Sequence, residues 1–90
     1  MWNMADISII EVDSITYQVT VIAQNTTTHT VTVQADYALK LTNGGISNNE
    51  LLKKSFEFLL QREPNTSILR SFDLSLISRY FPEFESVICQ

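Results

Sequence analysis

The sequence predicts an α+β fold: an N-terminal antiparallel sheet of three strands followed by about three helices packed on one face of it. Three observations carry that prediction. The first third of the chain alternates apolar and polar residues with a period of two. The period changes to helical spacing after residue 34. Two prolines, two adjacent glycines and a set of capping residues divide the second part into short helices.

The strands come first. In ITYQVTVIAQ, residues 15 to 24, Ile15, Tyr17, Val19 and Val21 share one parity, and Thr16, Gln18 and Thr20 the other. That is the pattern of a half-buried strand rich in β-branched residues. THTVTVQ, residues 28 to 34, alternates again, with Val31 and Val33 inward and Thr30, Thr32 and Gln34 outward. The polar link Asn25-Thr26-Thr27 between them predicts an antiparallel hairpin. ADISIIEV, residues 5 to 12, supplies the third strand that a hairpin needs for independent stability, with Asp13-Ser14 as the turn.

The helices follow. Tyr37, Ala38 and Leu41 predict a short helix from residue 35 to 41, stopped by Asn43-Gly44-Gly45. Ser47-Asn48-Asn49-Glu50 is a capping box, in which the Ser47 oxygen accepts the N–H of Glu50 and the Glu50 carboxylate is expected to reach back to the N–H of Ser47. The helix it opens is expected to run to about Glu63, because Pro64 blocks continuation. Glu50, Lys53, Lys54, Glu57 and Gln61 fall in one arc, and Leu51, Leu52, Phe56, Phe58, Leu59 and Leu60 fill much of the rest. So wide an apolar arc touches neighbours on two sides, either core on both or core and a dimer seam. Thr66 or Ser67 caps a short turn through Ile68 and Leu69. In FDLSLISRYFP, residues 72 to 82, Asp73 caps a helix of about two turns. Leu74, Ile77 and Phe81 line one face, Leu76 and Tyr80 a second. Pro82 ends the helix, and Phe84 is expected in an extended tail beside the solvated Glu83 and Glu85.

Composition narrows the function classes. At 90 residues the chain is one domain, and its 44% hydrophobic and 18% charged residues are those of a folding sequence. A single core of this size gives a thin margin, so a homodimer interface is a natural supplement. The net charge is −4, residues 1 to 34 contain no Lys or Arg, and no basic stripe exists anywhere, which argues against a nucleic-acid partner. MWNMADISII lacks the basic and long apolar regions of a secretory signal, and no run reaches the roughly 20 apolar residues of a membrane helix. A cytoplasmic location is the expectation, and the two N-x-S/T sequons at Asn25 and Asn65 are discounted with it.

The chemistry of catalysis is sparse. His29 has no metal-ligating neighbours at useful spacing and is expected as a hydrogen-bonded surface histidine. Cys89, the lone thiol, has no CxxC partner. Gly44 and Gly45 are the only glycines, which excludes a P-loop and a dinucleotide fingerprint. No catalytic residue, metal ligand or cofactor is expected, and the chain reads as a non-enzymatic module. Its expected partner is another protein or a second copy of itself. The candidate contact residues are the clustered aromatics Tyr80, Phe81 and Phe84, since large exposed apolar clusters mark interfaces.

Two resemblances add to this reading. From Thr28 to Arg62 the order is strand, short helix, Gly-containing turn and a helix capped at S-x-x-E. This resembles the ribbon-helix-helix fold of small bacterial repressors and antitoxins. The resemblance implies a DNA-binding dimer in which Thr30, Thr32 and Gln34 face the bases and Ser47 and Asn48 bind phosphate at a helix N-terminus. Residues 50 to 82, ELLKKSFEFLLQREPNTSILRSFDLSLISRYFP, resemble a stretch of small uncharacterised bacterial proteins. That resemblance implies a bacterial cytoplasmic protein and brings no activity with it.

Overall fold

The computed structural model describes residues 6 to 88. Strands β1 (Asp6–Glu11), β2 (Thr16–Ile22) and β3 (Thr27–Thr32) form an antiparallel meander. Helices α1 (Ala35–Thr42) and α2 (Asn48–Leu60) come next, and a 3₁₀ turn (Asn65–Ser67) leads to β4 (Ser71–Asp73). A second 3₁₀ turn (Leu74–Leu76) runs into α3 (Ile77–Tyr80), and α4 (Phe84–Ile88) closes the described chain.

The α+β class holds, but the sheet has four strands, in the order β1-β2-β3-β4, and is mixed. The expected three-stranded antiparallel sheet is corrected by β4, which pairs parallel to β3 with Val31 opposite Phe72. A parallel pair needs a long crossover, and the two helices between β3 and β4 supply it. Three residues are too few to show a period, so FD at 72 and 73 reads as the start of a helix until β3 is placed beside it.

Parity decides the two faces of the sheet. Tyr17, Val19, Val21 and Val31 are buried on the face that the helices cover. The opposite face carries Thr16 across from Thr32, Gln18 across from Thr30 and Thr20 across from Thr28. The β1–β2 turn is held by Asp13, whose carboxylate accepts the backbone N–H groups of Ile15 at 3.1 Å and Thr16 at 2.9 Å. The Ile15 bond first, and then Thr16, hold the Asp13 carboxyl below its ordinary value of 3.8. Because the folded carboxyl titrates below the unfolded one, the unfolded chain binds more protons as the pH drops to that value and under it. The turn's stabilisation is therefore complete above the unfolded pKa and is lost as pH falls through the folded one. Asp13→Asn keeps an oxygen for the turn and removes the titration. Urea midpoints measured between pH 2 and about pH 6 are expected to fall less steeply towards acid in this variant than in the wild type.

The helices obey their punctuation. Asn43 ends α1 in the left-handed conformation at φ 54°, and Gly44 follows at φ 75°, where an added side chain would strain the backbone. Ser47 Oγ accepts the Glu50 N–H at 3.2 Å, so α2 starts where the capping box places it, although only this half of the box is formed: Glu50 is exposed and its carboxylate does not cap the Ser47 N–H. It ends at Leu60, short of Glu63, in a tight turn in which the Arg62 and Glu63 N–H groups both reach the Leu59 carbonyl. The polar arc of α2 is exposed. Leu51, Leu52, Phe56, Phe58 and Leu59 are all buried within the chain, so the wide apolar arc is core on both sides.

The C-terminal segment departs from expectation. Phe84 is not in an extended tail. It opens α4 and is 0% exposed, with its ring 5.2 Å from that of Phe58 in an edge-on contact. Nor are Glu83 and Glu85 merely solvated. Glu83 pairs with Arg62 at 3.3 Å, and Glu85 accepts the Tyr37 hydroxyl at 2.8 Å and pairs with Lys40 at 3.5 Å. Burial, and then the hydrogen bond to Glu85, raise the Tyr37 phenol well above its usual range, so it stays a neutral donor that ties α1 to α4.

Candidate functional site: an apolar groove on a buried polar network

A groove of about 250 Å³ opens beside the C-terminal end of α2. Pro64 turns the chain away from α2, and the segment after the 3₁₀ turn lays Ile68 and Leu69 along one wall. Leu59 from α2 and Phe72 from β4 line it further in. The 3₁₀ turn and α3 form the other wall. There Asp73 Oδ1 caps the turn by accepting the Ser75 N–H at 3.0 Å. This cap sends Leu76 and Tyr80, the i, i+4 pair, into the groove, with Ile77 and Phe81 alongside.

The groove is mainly apolar, and its mouth is open. Tyr80 is 67% exposed and Leu69 50% exposed. Glu63 lies on the wall, partly buried, and has no ion-pair partner among the described residues. The volume falls below the roughly 300–1,000 Å³ of a typical ligand site. It suits one or two bulky side chains better than a cofactor. Among the described residues no three His, Cys, Asp or Glu side chains gather as metal ligands.

The wall at Leu69 is pinned from beneath. His29 is 1% exposed, which corrects the expectation of a surface histidine. Its Nδ1 lies 2.8 Å from the Leu69 carbonyl, which can only accept, so Nδ1 carries the proton and donates. Nε2, 2.8 Å from Thr27 Oγ1, then accepts the threonine hydroxyl. Asn65 Nδ2 donates to the same Thr27 oxygen at 2.8 Å and to the Asn25 carbonyl at 2.7 Å. Every member has a partner, and no buried side-chain polar atom among the described residues is left without one. The His29 ring also rests 5.4 Å from that of Phe56. The network joins the β2–β3 hairpin to the segment that forms the groove wall. Its signal lies in the alternation, because His29 shares the inward parity of Val31 and Val33. Asn65 is itself buried and engaged as a donor.

The residues singled out from the sequence separate. Tyr80 and Phe81 line the groove, Tyr80 at the mouth and Phe81 partly buried at 5.9 Å from Phe58. Phe84 is removed from the contact set, since a core ring reaches no partner. Thr30 and Thr32 lie in β3, which is hydrogen-bonded to β2 on one side and β4 on the other, so neither edge is free there for a ribbon between chains. Gln34 precedes α1 and is exposed. Ser47 is engaged as the cap of α2, and Asn48 Nδ2 donates to the Tyr17 hydroxyl at 3.0 Å. Cys89 lies outside the described residues. Among those residues no helix is long and apolar enough to cross a membrane.

No protein-family model, curated protein or solved structure matches the chain.

Proposed function

We propose that this protein is a small non-catalytic interaction module that grips an apolar segment of a partner protein in the groove between α2, β4 and α3. The observation that carries the reading is the groove itself. An apolar cleft stands open with an exposed tyrosine and an exposed leucine on its lining, and it is the contiguity of that apolar surface, not the exposure of either side chain alone, that marks an interaction site. The unpaired Glu63 carboxylate on its wall gives the partner a second feature: a bulky apolar anchor with a basic residue next to it.

Panning a phage-displayed library of random peptides on the protein tests this. Enriched peptides are expected to share an anchor of Leu, Phe, Trp or Met flanked by Lys or Arg. Leu69→Asp and Tyr80→Ala are each expected to weaken such a peptide by about tenfold or more, as central contacts do. Both residues are at least half exposed, so the thermal midpoint is expected to move little, corresponding to about 0.5 kcal/mol. Peptides that bind both variants as well as the wild type would show that the groove is not the site. Binding to duplex DNA that weakens steeply with salt would point to a nucleic-acid partner instead.

A further inference from the structure

We infer that the outer edge of β1 is a self-association surface, and that two copies of the chain pair there antiparallel to make one continuous sheet. This goes beyond the groove and does not depend on it.

The backbone fixes which groups are available. The Val12 N–H donates to the Thr16 carbonyl at 2.9 Å, in line with the β1–β2 register. Hydrogen-bonded pairs alternate in an antiparallel ladder, so Asp6, Ser8 and Ile10 turn their peptide groups towards β2. Ile7, Ile9 and Glu11 turn theirs to the open side, and no described strand pairs with them. A row of unpaired donors and acceptors is a template for another strand, and proteins that must stay monomeric blunt it with charged side chains, Pro, bulges or very short edges. The charges of β1, Asp6 and Glu11, stand only at its two ends, and the stretch from Ile7 to Ile10 between them carries none. The strand has six residues, its register with β2 is unbroken, and it contains no Lys, Arg or Pro. Ile10 is 55% exposed and Val12, just beyond the strand, 60%.

Symmetry then restricts the register. A two-fold axis perpendicular to the sheet keeps the helices of both copies on the same side, so residues of like parity must face each other. An axis through Ser8 satisfies this. It pairs Ile7 with Ile9 of the second copy, both with peptide groups already turned outward and both side chains already packed at the rim of the core. Asp6 lies opposite Ile10, so no like charges are opposed. Ser8 meets Ser8 in a non-hydrogen-bonded pair, with Cα atoms about 4.5 Å apart. That separation is within the roughly 4.4–6.8 Å that a disulfide spans.

Light scattering on a sizing column, over a range of concentrations, is expected to give twice the mass of one chain at high concentration. Ser8→Lys sets two ammonium groups against each other on the axis. It is expected to raise the dissociation constant by more than about a hundredfold, with an unchanged far-UV circular dichroism spectrum because residue 8 is exposed. In a Cys89→Ser background, Ser8→Cys is expected to oxidise to a linked dimer much faster than Thr28→Cys, which is also exposed on the outer face but lies away from the edge. A mass that stays at one chain up to millimolar concentration would overturn the inference. So would a dimer indifferent to Ser8→Lys, or equal cross-linking at positions 8 and 28.

Discussion

Phe84→Ala is expected to destabilise the protein by about 3–5 kcal/mol, the range for truncating a buried phenylalanine. Phe84 is fully buried, and its ring meets the edge of Phe58 at 5.2 Å. Phe58 in turn carries the Arg62 guanidinium on its face at 3.7 Å and contacts Phe81. The cavity would open in a cluster of edge-packed aromatic rings that fixes α4 against α2, and a short helix such as α4 has little stability of its own to resist collapse. Domains of this size are stable by about 5–15 kcal/mol, so a loss of this magnitude removes a large part of the margin. At about 4–8 °C per kcal/mol, the thermal midpoint is expected to fall by more than about 12 °C. Tyr80→Ala, four residues earlier, should barely move it. Two midpoints that fall together, or a Phe84→Ala midpoint within a few degrees of wild type, would contradict the assignment of one ring to the core and the other to the surface.

His29→Ala is expected to cost about 3 kcal/mol, and the loss has two sources. Removing the ring leaves a void against Phe56. It also leaves the part-buried Leu69 carbonyl without its donor and the Thr27 hydroxyl with Asn65 alone, and an unmet polar group costs up to about 1–3 kcal/mol where water cannot reach it. The effect should also be local. The Thr30 N–H donates to the Arg70 carbonyl at 2.7 Å, one residue from the point where His29 holds Leu69. Hydrogen exchange at Thr30 and at the β4 amides is expected to accelerate more than at the centre of β2. Peptide binding in the groove should weaken as well, although His29 does not line it, because the Leu69 wall loses its anchor. Equal acceleration throughout the sheet would mean that the histidine supports the whole core and not this wall.

Much of the fold was legible because short-range rules acted alone. The parity of Tyr17, Val19 and Val21 needs only the pleat of one strand. Ser47 caps α2 through a bond to a residue three positions away, and Asn43 and Gly44 stop α1 through their own backbone angles. The groove was legible in part, since Tyr80 and Phe81, two of the three aromatics that the sequence singles out, line it, with Leu76 at helical spacing from Tyr80.

The errors share a cause. His29 reads as a surface residue because it sits among threonines with no partner near it in sequence, although its parity matches Val31 and Val33. Polar residues go inside when partners meet every donor and acceptor, and those partners are at Leu69, some 40 residues on, and at Thr27, which Asn65 holds in turn. Phe84 reads as part of a tail because Pro82 ends the helix before it; Ile88 four residues on completes a buried face with it, and its neighbour Phe58 is on another element. β4 is three residues long and exists only because β3 presents a free edge to it. The sequence by itself determined what local geometry and patterning can specify: the strand faces, the helix starts and stops, and the apolar arc of α2. The tertiary structure alone decided which aromatic ring is core, where the sheet ends and what shapes the groove, because those depend on contacts between residues far apart in the chain.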